Sequence, residues 1–226
     1  MFALCFRRAA LYFEAMPAPA LLAGPDGFIF APGRLDLAAQ KALVATVFAS
    51  VESAPFYTPL MPRTGAAMSV RQTNFGPLGW VTDQAKGYRY EPRHPETGAP
   101  WPAIPPVLLD LWDEMTGYGA PPEACLVNLY RDSAKMGLHV DADEAAADAP
   151  VPSVSLGDNA IFRLGGPTRK HASRTMNLRS GDVVVLAGAS RRGFHGVDRI
   201  QPGSSSLIPG GGRINLTLRR VTRAPI

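Results

Sequence analysis

The alternation of apolar and polar residues is strictest near the end of the chain, over residues 213–219. The odd-numbered positions carry Arg213, Asn215, Thr217 and Arg219, and the even-numbered positions carry Ile214, Leu216 and Leu218. Because a strand repeats its side-chain direction every two residues, the pattern predicts a β-strand with one polar and one apolar face. Two guanidiniums on an inward face need anionic partners, so we expect this face to bind a small molecule that carries carboxylates.

Two other segments repeat their apolar residues at helical spacing. Residues 35–51 carry Ala38, Leu43, Val47 and Val51 near one face and are predicted to form the first helix. A second helix is predicted over residues 107–116. Its buried stripe is expected to consist of Leu108, Leu109, Leu111, Trp112 and Met115.

The rest of the chain is typical of a β-rich protein. Residues 28–30 predict a short strand, and from Cys125 onward short apolar runs alternate with turn residues at regular spacing. The 22 glycines and 22 prolines fit a fold with many turns. We therefore predict a mainly β fold of the α+β class, built as a sandwich or a jelly roll.

Composition narrows the class of protein. The chain has 226 residues, of which 46% are hydrophobic and 19% charged, which is ordinary for a soluble globular protein. No apolar run approaches the length of a membrane span. Only two cysteines are present, far apart, so we expect a reducing cytoplasm and no disulfide framework. Residues 1–20 are expected to form a poorly ordered tail, and residues 21–226 a single domain.

Positive charge is concentrated in the second half of the chain. From residue 161 to the end, twelve lysines and arginines face only Asp182 and Asp198. This asymmetry suits a partner that carries phosphates. A generic basic surface that keeps the protein soluble explains it equally well.

A histidine and an aspartate two residues apart, His139 and Asp141, mark a candidate metal site. On a strand end their side chains would point to one face. His195, downstream of the strand-like run 182–187, offers a third ligand. Two histidines and one carboxylate suit non-haem Fe(II) and oxygen chemistry. Without the polar strand downstream, two ordinary polar residues at a strand end would be the better interpretation.

Together these residues resemble the AlkB family of Fe(II)- and 2-oxoglutarate-dependent nucleic-acid demethylases. The resemblance covers roughly residues 20–222 and includes segments outside the ligand set. These segments are Met68-Ser-Val, Gly79-Trp80, Gly87-Tyr88-Arg-Tyr90, Asn128-Leu-Tyr130, Val154-Ser-Leu-Gly157 and Ser180-Gly-Asp-Val-Val-Val185. It implies an eight-stranded double-stranded β-helix over residues 123–222, preceded by helices and by a nucleotide-recognition lid over residues 57–92.

The resemblance also assigns roles at the catalytic centre. It implies that His139, Asp141 and His195 bind Fe(II), and that Arg213 and Arg219 bind the two carboxylates of 2-oxoglutarate. Neutral hydrogen bonds to the cosubstrate are expected from Asn128, Tyr130 and Asn215. Of the two arginines, Arg213 is expected to take the distal carboxylate and Arg219 to lie nearer the iron. With O₂ as oxidant, the expected products are formaldehyde, succinate and CO₂.

For the substrate, the resemblance implies alkylated single-stranded DNA carrying 1-methyladenine or 3-methylcytosine. RNA, and duplex DNA by base flipping, remain open. Trp80 is expected to stack on the base opposite His139, and Tyr88 and Arg169 to contact the substrate. Asp143, predicted to lie on the same strand face as Asp141, would meet the cationic base. The aromatic residues between positions 57 and 90 also fit a plain hydrophobic core.

Two departures from the family pattern lie near the predicted pocket. Leu186 replaces an aromatic residue that bacterial relatives tend to have, and Arg192-Gly193-Phe194 precedes the second metal histidine. Both are expected to affect the pocket wall without removing a ligand. His94 and His171 fit no motif and are predicted to be surface residues.

Two rival functions stay open. One is a 2-oxoglutarate oxygenase that acts on a protein or a small molecule, and the other is a catalytically silent nucleic-acid-binding module. A monomer is expected in each case.

Overall fold

The computed structural model describes residues 22–23 and 26–224; the predicted tail, residues 1–20, lies outside them. The described residues form two α-helices, α1 (Leu37–Ser50) and α2 (Pro106–Thr116), and a 3₁₀-helix at Gly188–Arg192. The strands are β1 (Leu22–Ala23), β2 (Phe28–Ala31), β3 (Arg71–Phe75), β4 (Gly79–Asp83), β5 (Gly87–Glu91), β6 (Ala124–Tyr130), β7 (Met136–His139), β8 (Val151–Gly157), β9 (Ala160–Leu164), β10 (Arg174–Leu178), β11 (Val183–Leu186), β12 (His195–Ile200) and β13 (Arg213–Arg219).

The first helix, α1, is shorter than predicted. It begins two residues later, because the side chain of Asp36 accepts a hydrogen bond from the Ala39 backbone N–H at 2.8 Å and caps the helix. Three of its apolar side chains, Leu43, Val44 and Val47, are buried against the sheet. The helix therefore has a structural role.

The second helix, α2, agrees closely with the prediction. Proline occupies its first position, where a missing N–H costs nothing. Its end is set by Gly117, which takes a left-handed conformation (φ 57°) and donates its N–H to the Asp113 carbonyl. Leu108, Leu111 and Trp112 are buried. The remaining two members of the predicted stripe, Leu109 and Met115, are partly buried at the edge of the same core.

Two antiparallel sheets form the body of the protein. The larger has the order β1-β2-β11-β8-β13-β6-β3, and the smaller has the order β10-β9-β12-β7. The eight strands β6 to β13 divide equally between the sheets, and every sequential neighbour except the β9–β10 pair lies in the opposite sheet. This arrangement is a jelly roll, so the predicted fold class and the eight-stranded core are confirmed.

Each face of the larger sheet has its own apolar cluster. Ile214, Leu216 and Leu218 of β13 pack on the helices. The opposite face, toward the smaller sheet, packs around Phe162 and Leu186. The alternation predicted for β13 is therefore correct, although all seven of its residues are buried. Its polar side chains point into the space between the sheets.

A small two-stranded sheet, β4–β5, stands apart from the jelly roll and is called here the lid hairpin (residues 79–91). In its register Trp80 lies opposite Tyr90, and Thr82 opposite Tyr88. Residues opposite each other in an antiparallel pair share a face, so these four side chains lie on the same side. Of the segment predicted as a lid, β3 instead joins the edge of the larger sheet.

Candidate active site

The two metal-ligand candidates nearest in sequence are held by a strand end and the loop after it. His139 is the last residue of β7, whereas Asp141 lies two residues beyond, outside any strand. The prediction that both side chains project from one strand face was therefore wrong for Asp141. Their convergence is real nonetheless, since the His139 Nε2 atom lies 3.6 Å from an Asp141 carboxylate oxygen.

The third candidate reaches the same point from a neighbouring strand. His195 begins β12 and is paired directly with His139 across the smaller sheet. The two imidazole centroids are 4.5 Å apart, and the His195 Nε2 atom lies 3.8 Å from the Asp141 Oδ2 atom. One donor atom from each of the three residues lies within 4.8 Å of the other two. Sequence-distant side chains thus converge as the candidate metal site requires.

Both imidazoles are oriented by backbone carbonyls. The Nδ1 atom of His139 lies 2.9 Å from the Gly137 carbonyl, and that of His195 lies 3.1 Å from the Gly193 carbonyl. When Nδ1 carries the proton, the Nε2 lone pair is free to bind a metal. Burial lowers the pKa of His195 to about 4, which keeps this ring neutral at pH 7. Gly193 departs from the family pattern, yet its carbonyl holds a ligand.

The Asp141 carboxylate is buried, and its two oxygen atoms have different surroundings. Its Oδ1 atom accepts a hydrogen bond from Arg219 at 2.9 Å. Its Oδ2 atom is buried and has no hydrogen-bond partner among the described residues. Burial alone would raise the pKa of Asp141, but Arg219 and the two imidazoles hold it well below its usual range. An ionised oxygen that faces the two imidazoles without a hydrogen-bond donor of its own fits a bound Fe(II) ion.

The other end of β13 holds an arginine that has no counterion among the described residues. Arg213 is buried, donates to the Ser155 hydroxyl at 3.0 Å, and lies over the Tyr130 ring at 5.3 Å. Its Nε and Nη1 atoms have no partner in residues 26–224. Burial lowers the pKa of Arg213. Burial also raises the pKa of Tyr130, against the opposing charge of Arg213. The free edge of this guanidinium fits a carboxylate such as one end of 2-oxoglutarate.

The remaining cosubstrate candidates line the same cavity but already have partners. The Asn128 side-chain oxygen accepts a hydrogen bond from Gln72 at 2.8 Å. The Asn215 amide donates to the Ser153 hydroxyl and the Val154 carbonyl, and its oxygen accepts from Thr217. The structure therefore brings both asparagines to the cavity, where Asn215 is held rigidly by its own sheet.

The substrate candidates gather at the cavity mouth. The Trp80 indole N–H donates to the Asp143 carboxylate at 2.8 Å, and the Trp80 and Tyr88 rings stack with centroids 5.5 Å apart. Arg169 lies over the Phe194 ring at 5.1 Å. The predicted strand position of Asp143 was wrong, because β7 ends four residues earlier. Its carboxylate is nonetheless at the mouth, oriented by Trp80.

All of these side chains surround one cavity of about 710 Å³ between the two sheets and the lid hairpin. This volume is within the usual range for a small-molecule site. Its apolar wall includes the departure noted above, Leu186, which is buried. Further apolar side chains of the wall include Leu126, Val151, Phe162, Leu178, Val184 and Val197.

Several polar residues behind the cavity were not foreseen. Glu144 is buried, and it pairs with Arg191 at 2.9 Å. Arg191, Arg213 and Arg219 are three of the twelve basic residues after position 160, yet all three are buried rather than on a basic surface. Sequence patterns gave no signal for the ion pair, because its members are 47 residues apart.

His94 was predicted to lie on the surface, and this was wrong. Its side chain is only 1% exposed, with the Nε2 atom 2.8 Å from the Pro55 carbonyl. Its Nδ1 atom accepts hydrogen bonds from the Glu96 and Thr97 backbone N–H groups. A histidine can thus be buried as a loop anchor without belonging to any motif. His171 is exposed, as predicted.

Comparisons with known proteins agree with this geometry. The profile of the 2OG-Fe(II) oxygenase superfamily matches residues 27–219. An alpha-ketoglutarate-dependent dioxygenase AlkB homolog from Caulobacter vibrioides is 59% identical over 88% of this chain and 89% of its own length. The alpha-ketoglutarate-dependent dioxygenase AlkB of Escherichia coli is 40% identical over 80% of this chain and 85% of its own.

A solved structure has the same fold as this chain. The structure of OsALKBH1 superposes with a TM-score of 0.75 at 30% sequence identity, covering 88% of this chain and 99% of that one. No helix within the described residues has both the length and the apolar character needed to cross a membrane.

Proposed function

Because this chain belongs to the AlkB family of Fe(II)- and 2-oxoglutarate-dependent dioxygenases, we propose that it repairs DNA by oxidative demethylation. Its substrates are 1-methyladenine, 3-methylcytosine and similar N-alkylated bases in single-stranded DNA. Each turnover consumes O₂ and 2-oxoglutarate and releases formaldehyde, succinate and CO₂. One observation carries the proposal: three metal-ligand atoms within 4.8 Å of one another border a cavity that also contains a buried arginine, Arg213, with two nitrogen atoms that have no partner among the described residues.

In this proposal His139, Asp141 and His195 hold the Fe(II) ion. Three ligands leave open positions, and the bound ion supplies the activation of O₂ that the oxidation needs. The protein keeps both imidazoles in the metal-binding tautomer through the carbonyls of Gly137 and Gly193. It also keeps Asp141 ionised by placing Arg219 against it.

The two arginines of β13 bind 2-oxoglutarate by its two ends. Arg213 receives the distal carboxylate on its unpaired Nε and Nη1 edge, beside the Tyr130 phenol. Arg219 contacts the carboxylate nearer the metal. A planar guanidinium suits this task better than an ammonium group because it binds a carboxylate through two parallel hydrogen bonds. Asn128 and Asn215 add neutral hydrogen-bonding groups along the cosubstrate.

The damaged base enters between the lid hairpin and the metal site. Trp80 stacks on one face of the base and the His139 ring covers the other, with Tyr88 and Arg169 also contacting the substrate. A base methylated at adenine N1 or cytosine N3 is cationic, and the Asp143 carboxylate attracts it. The methylated edge is the pairing edge, so the base must be unpaired or flipped. The apolar wall around Phe162 and Leu186 limits access of water to the methyl group.

The decisive experiment measures formaldehyde release from methylated single-stranded oligonucleotides. Wild-type protein with Fe(II) and 2-oxoglutarate should release formaldehyde and leave the unmodified base. Asp141→Ala should abolish release, because the metal loses an anionic ligand. The matched control is Asp148→Ala, an exposed aspartate outside the cavity, which should keep full activity.

The same assay separates the rival functions. Succinate release stimulated only by a protein or small-molecule substrate would contradict nucleic-acid demethylation. Oligonucleotide binding without uptake of Fe(II) or Mn(II) would instead favour a silent binding module. Parallel arms with RNA and duplex DNA test the choice of single-stranded DNA. Action as a monomer in the cytoplasm belongs to the same proposal and is checked by sedimentation and by cell fractionation.

A further inference from the structure

A buried polar network adjoins the metal-ligand set and shares Asp141 with it. It contains two carboxylates, Asp141 and Glu144, and two guanidiniums, Arg191 and Arg219, so its charges balance. The side chains of all four are at most 7% exposed. The fifth member is a neutral phenol, Tyr90, which belongs to the lid hairpin. Only Asp141 and Arg219 of these five also line the cavity.

Arg191 fixes the loop that carries the metal ligand. Its three nitrogen atoms donate to three different acceptors: the Asp141 carbonyl at 2.7 Å, the Ala149 carbonyl at 2.9 Å and the Glu144 carboxylate at 2.9 Å. Charge-assisted hydrogen bonds of this kind are strong and directional, so they fix the positions of the groups that they join. Glu144 is therefore the centre of the network rather than an isolated buried acid.

Tyr90 connects the lid hairpin to this network. Its hydroxyl donates to the second Glu144 oxygen and accepts from the Arg219 Nη1 atom at 3.2 Å. The Nη2 atom of the same guanidinium donates to Asp141 at 2.9 Å. The orientation of Arg219 is thus set on one side by Asp141 and on the other by Tyr90. Tyr90 also lies directly opposite Trp80 across the hairpin.

We propose that Tyr90 and Glu144 are positioning residues that hold Arg219 ready for 2-oxoglutarate and fasten the lid hairpin to the cosubstrate end of the site. Neither side chain lines the cavity, so both act through Arg219. The consequence is coupling: when the Arg219 guanidinium is held by cosubstrate, the hairpin that carries Trp80 is held as well. This inference rests on the proposed use of Arg219 but not on the identity of the methylated substrate.

The first test measures binding of 2-oxoglutarate to Mn(II)-loaded protein by calorimetry, without nucleic acid. Tyr90→Phe removes one hydroxyl and keeps the ring. We expect the Kd for 2-oxoglutarate to rise about five- to tenfold, the scale of one typical intramolecular hydrogen bond. In turnover the KM for 2-oxoglutarate should rise in parallel, with kcat nearly unchanged. Tyr118→Phe is the matched control, because its phenol also bonds a carboxylate, Asp148, but on the surface.

A double-mutant cycle shows whether Tyr90 acts through Arg219. In an Arg219→Lys background the guanidinium edge that meets the phenol is absent, so Tyr90→Phe should change the Kd for 2-oxoglutarate less than twofold. Glu144→Gln, a second variant of the same network, should also raise the Kd in the wild-type background. An equal effect of Tyr90→Phe in both backgrounds would overturn the positioning role.

Hydrogen exchange of residues 79–91 tests the coupling to the lid. Adding 2-oxoglutarate to the Mn(II)-loaded wild type should slow exchange in the lid hairpin, and Tyr90→Phe should remove that protection. Folded Tyr90→Phe protein with an unchanged Kd and unchanged protection would disprove the inference while leaving the proposed function intact. A wild type that binds no 2-oxoglutarate would disprove both.

Discussion

The two ends of β13 present the same side chain in opposite electrostatic situations. At one end the Arg213 guanidinium is buried with a single hydroxyl partner, Ser155, and two nitrogen atoms without acceptors in the described part of the chain. At the other end, Arg219 forms ion pairs with Asp141 and Glu144. Burial lowers the pKa of Arg213, whereas the pKa of Arg219 is raised by its carboxylate neighbours despite burial.

This difference indicates at which end of the cavity the buried charge needs a ligand to balance it. A buried charge without a partner destabilises the folded protein, so the Arg213 end is arranged for an anion that arrives from outside. The Arg219 end is already balanced and serves to hold the metal-ligand loop and the lid hairpin in place. One strand thus combines a binding group with a preorganised support.

The largest expected effect on stability comes from breaking the balanced end. Arg219→Met should lower the free energy of unfolding of the metal-free protein by about 3–5 kcal/mol, because the buried Asp141 carboxylate loses the guanidinium paired with it and Glu144 keeps only Arg191. Denaturant unfolding in the presence of a chelator measures the change. Arg199→Met, a substitution of an exposed arginine on β12, is the control and should stay within about 0.5 kcal/mol of wild type.

The unbalanced end should respond in the opposite direction. Arg213→Met removes an uncompensated buried charge, so the metal-free protein should gain about 1–4 kcal/mol of stability. Binding of 2-oxoglutarate should weaken by about 30-fold or more, because a charge-paired contact of about 2 kcal/mol or more is lost. Unfolding and calorimetry on the same preparation give both numbers. If both arginine variants lost stability equally, the contrast between the ends would be refuted.

The smallest effect on stability is expected for Thr217, which lies between the two arginines of β13. The Thr217 hydroxyl donates to the Asn215 side-chain oxygen at 2.9 Å, a bond between neutral groups. Thr217→Val should therefore cost about 1 kcal/mol of stability and leave 2-oxoglutarate binding within about twofold of wild type. Chemical denaturation checks the first value and calorimetry the second. A loss as large as that of Arg219→Met would show that the whole polar face, not its ends, sets stability.

Local periodicity predicted the fold well. The seven residues of β13 occupy the faces that alternation assigned to them, and α2 differs from its predicted start by one residue. The spacing of His139 and Asp141 led to the correct convergence for an incorrect reason, since only His139 lies on the strand. The same strand argument misplaced Asp143. Side-chain directions alternate with a period of two only while the backbone stays extended. Here the extended backbone ends with the last residue of β7, His139.

The sequence by itself determined the element types, the inward-facing side chains of β13 and, through its motif order, the family. Only the tertiary structure decided which buried groups are partners. Tyr90 meets Glu144 across 54 positions of the chain and Arg219 across 129, and His94 is buried by a carbonyl 39 positions away. Hydrophobic periodicity records whether a side chain faces the core, because that depends on local backbone geometry. Whether a buried charge is balanced depends on the groups that folding brings beside it from distant segments.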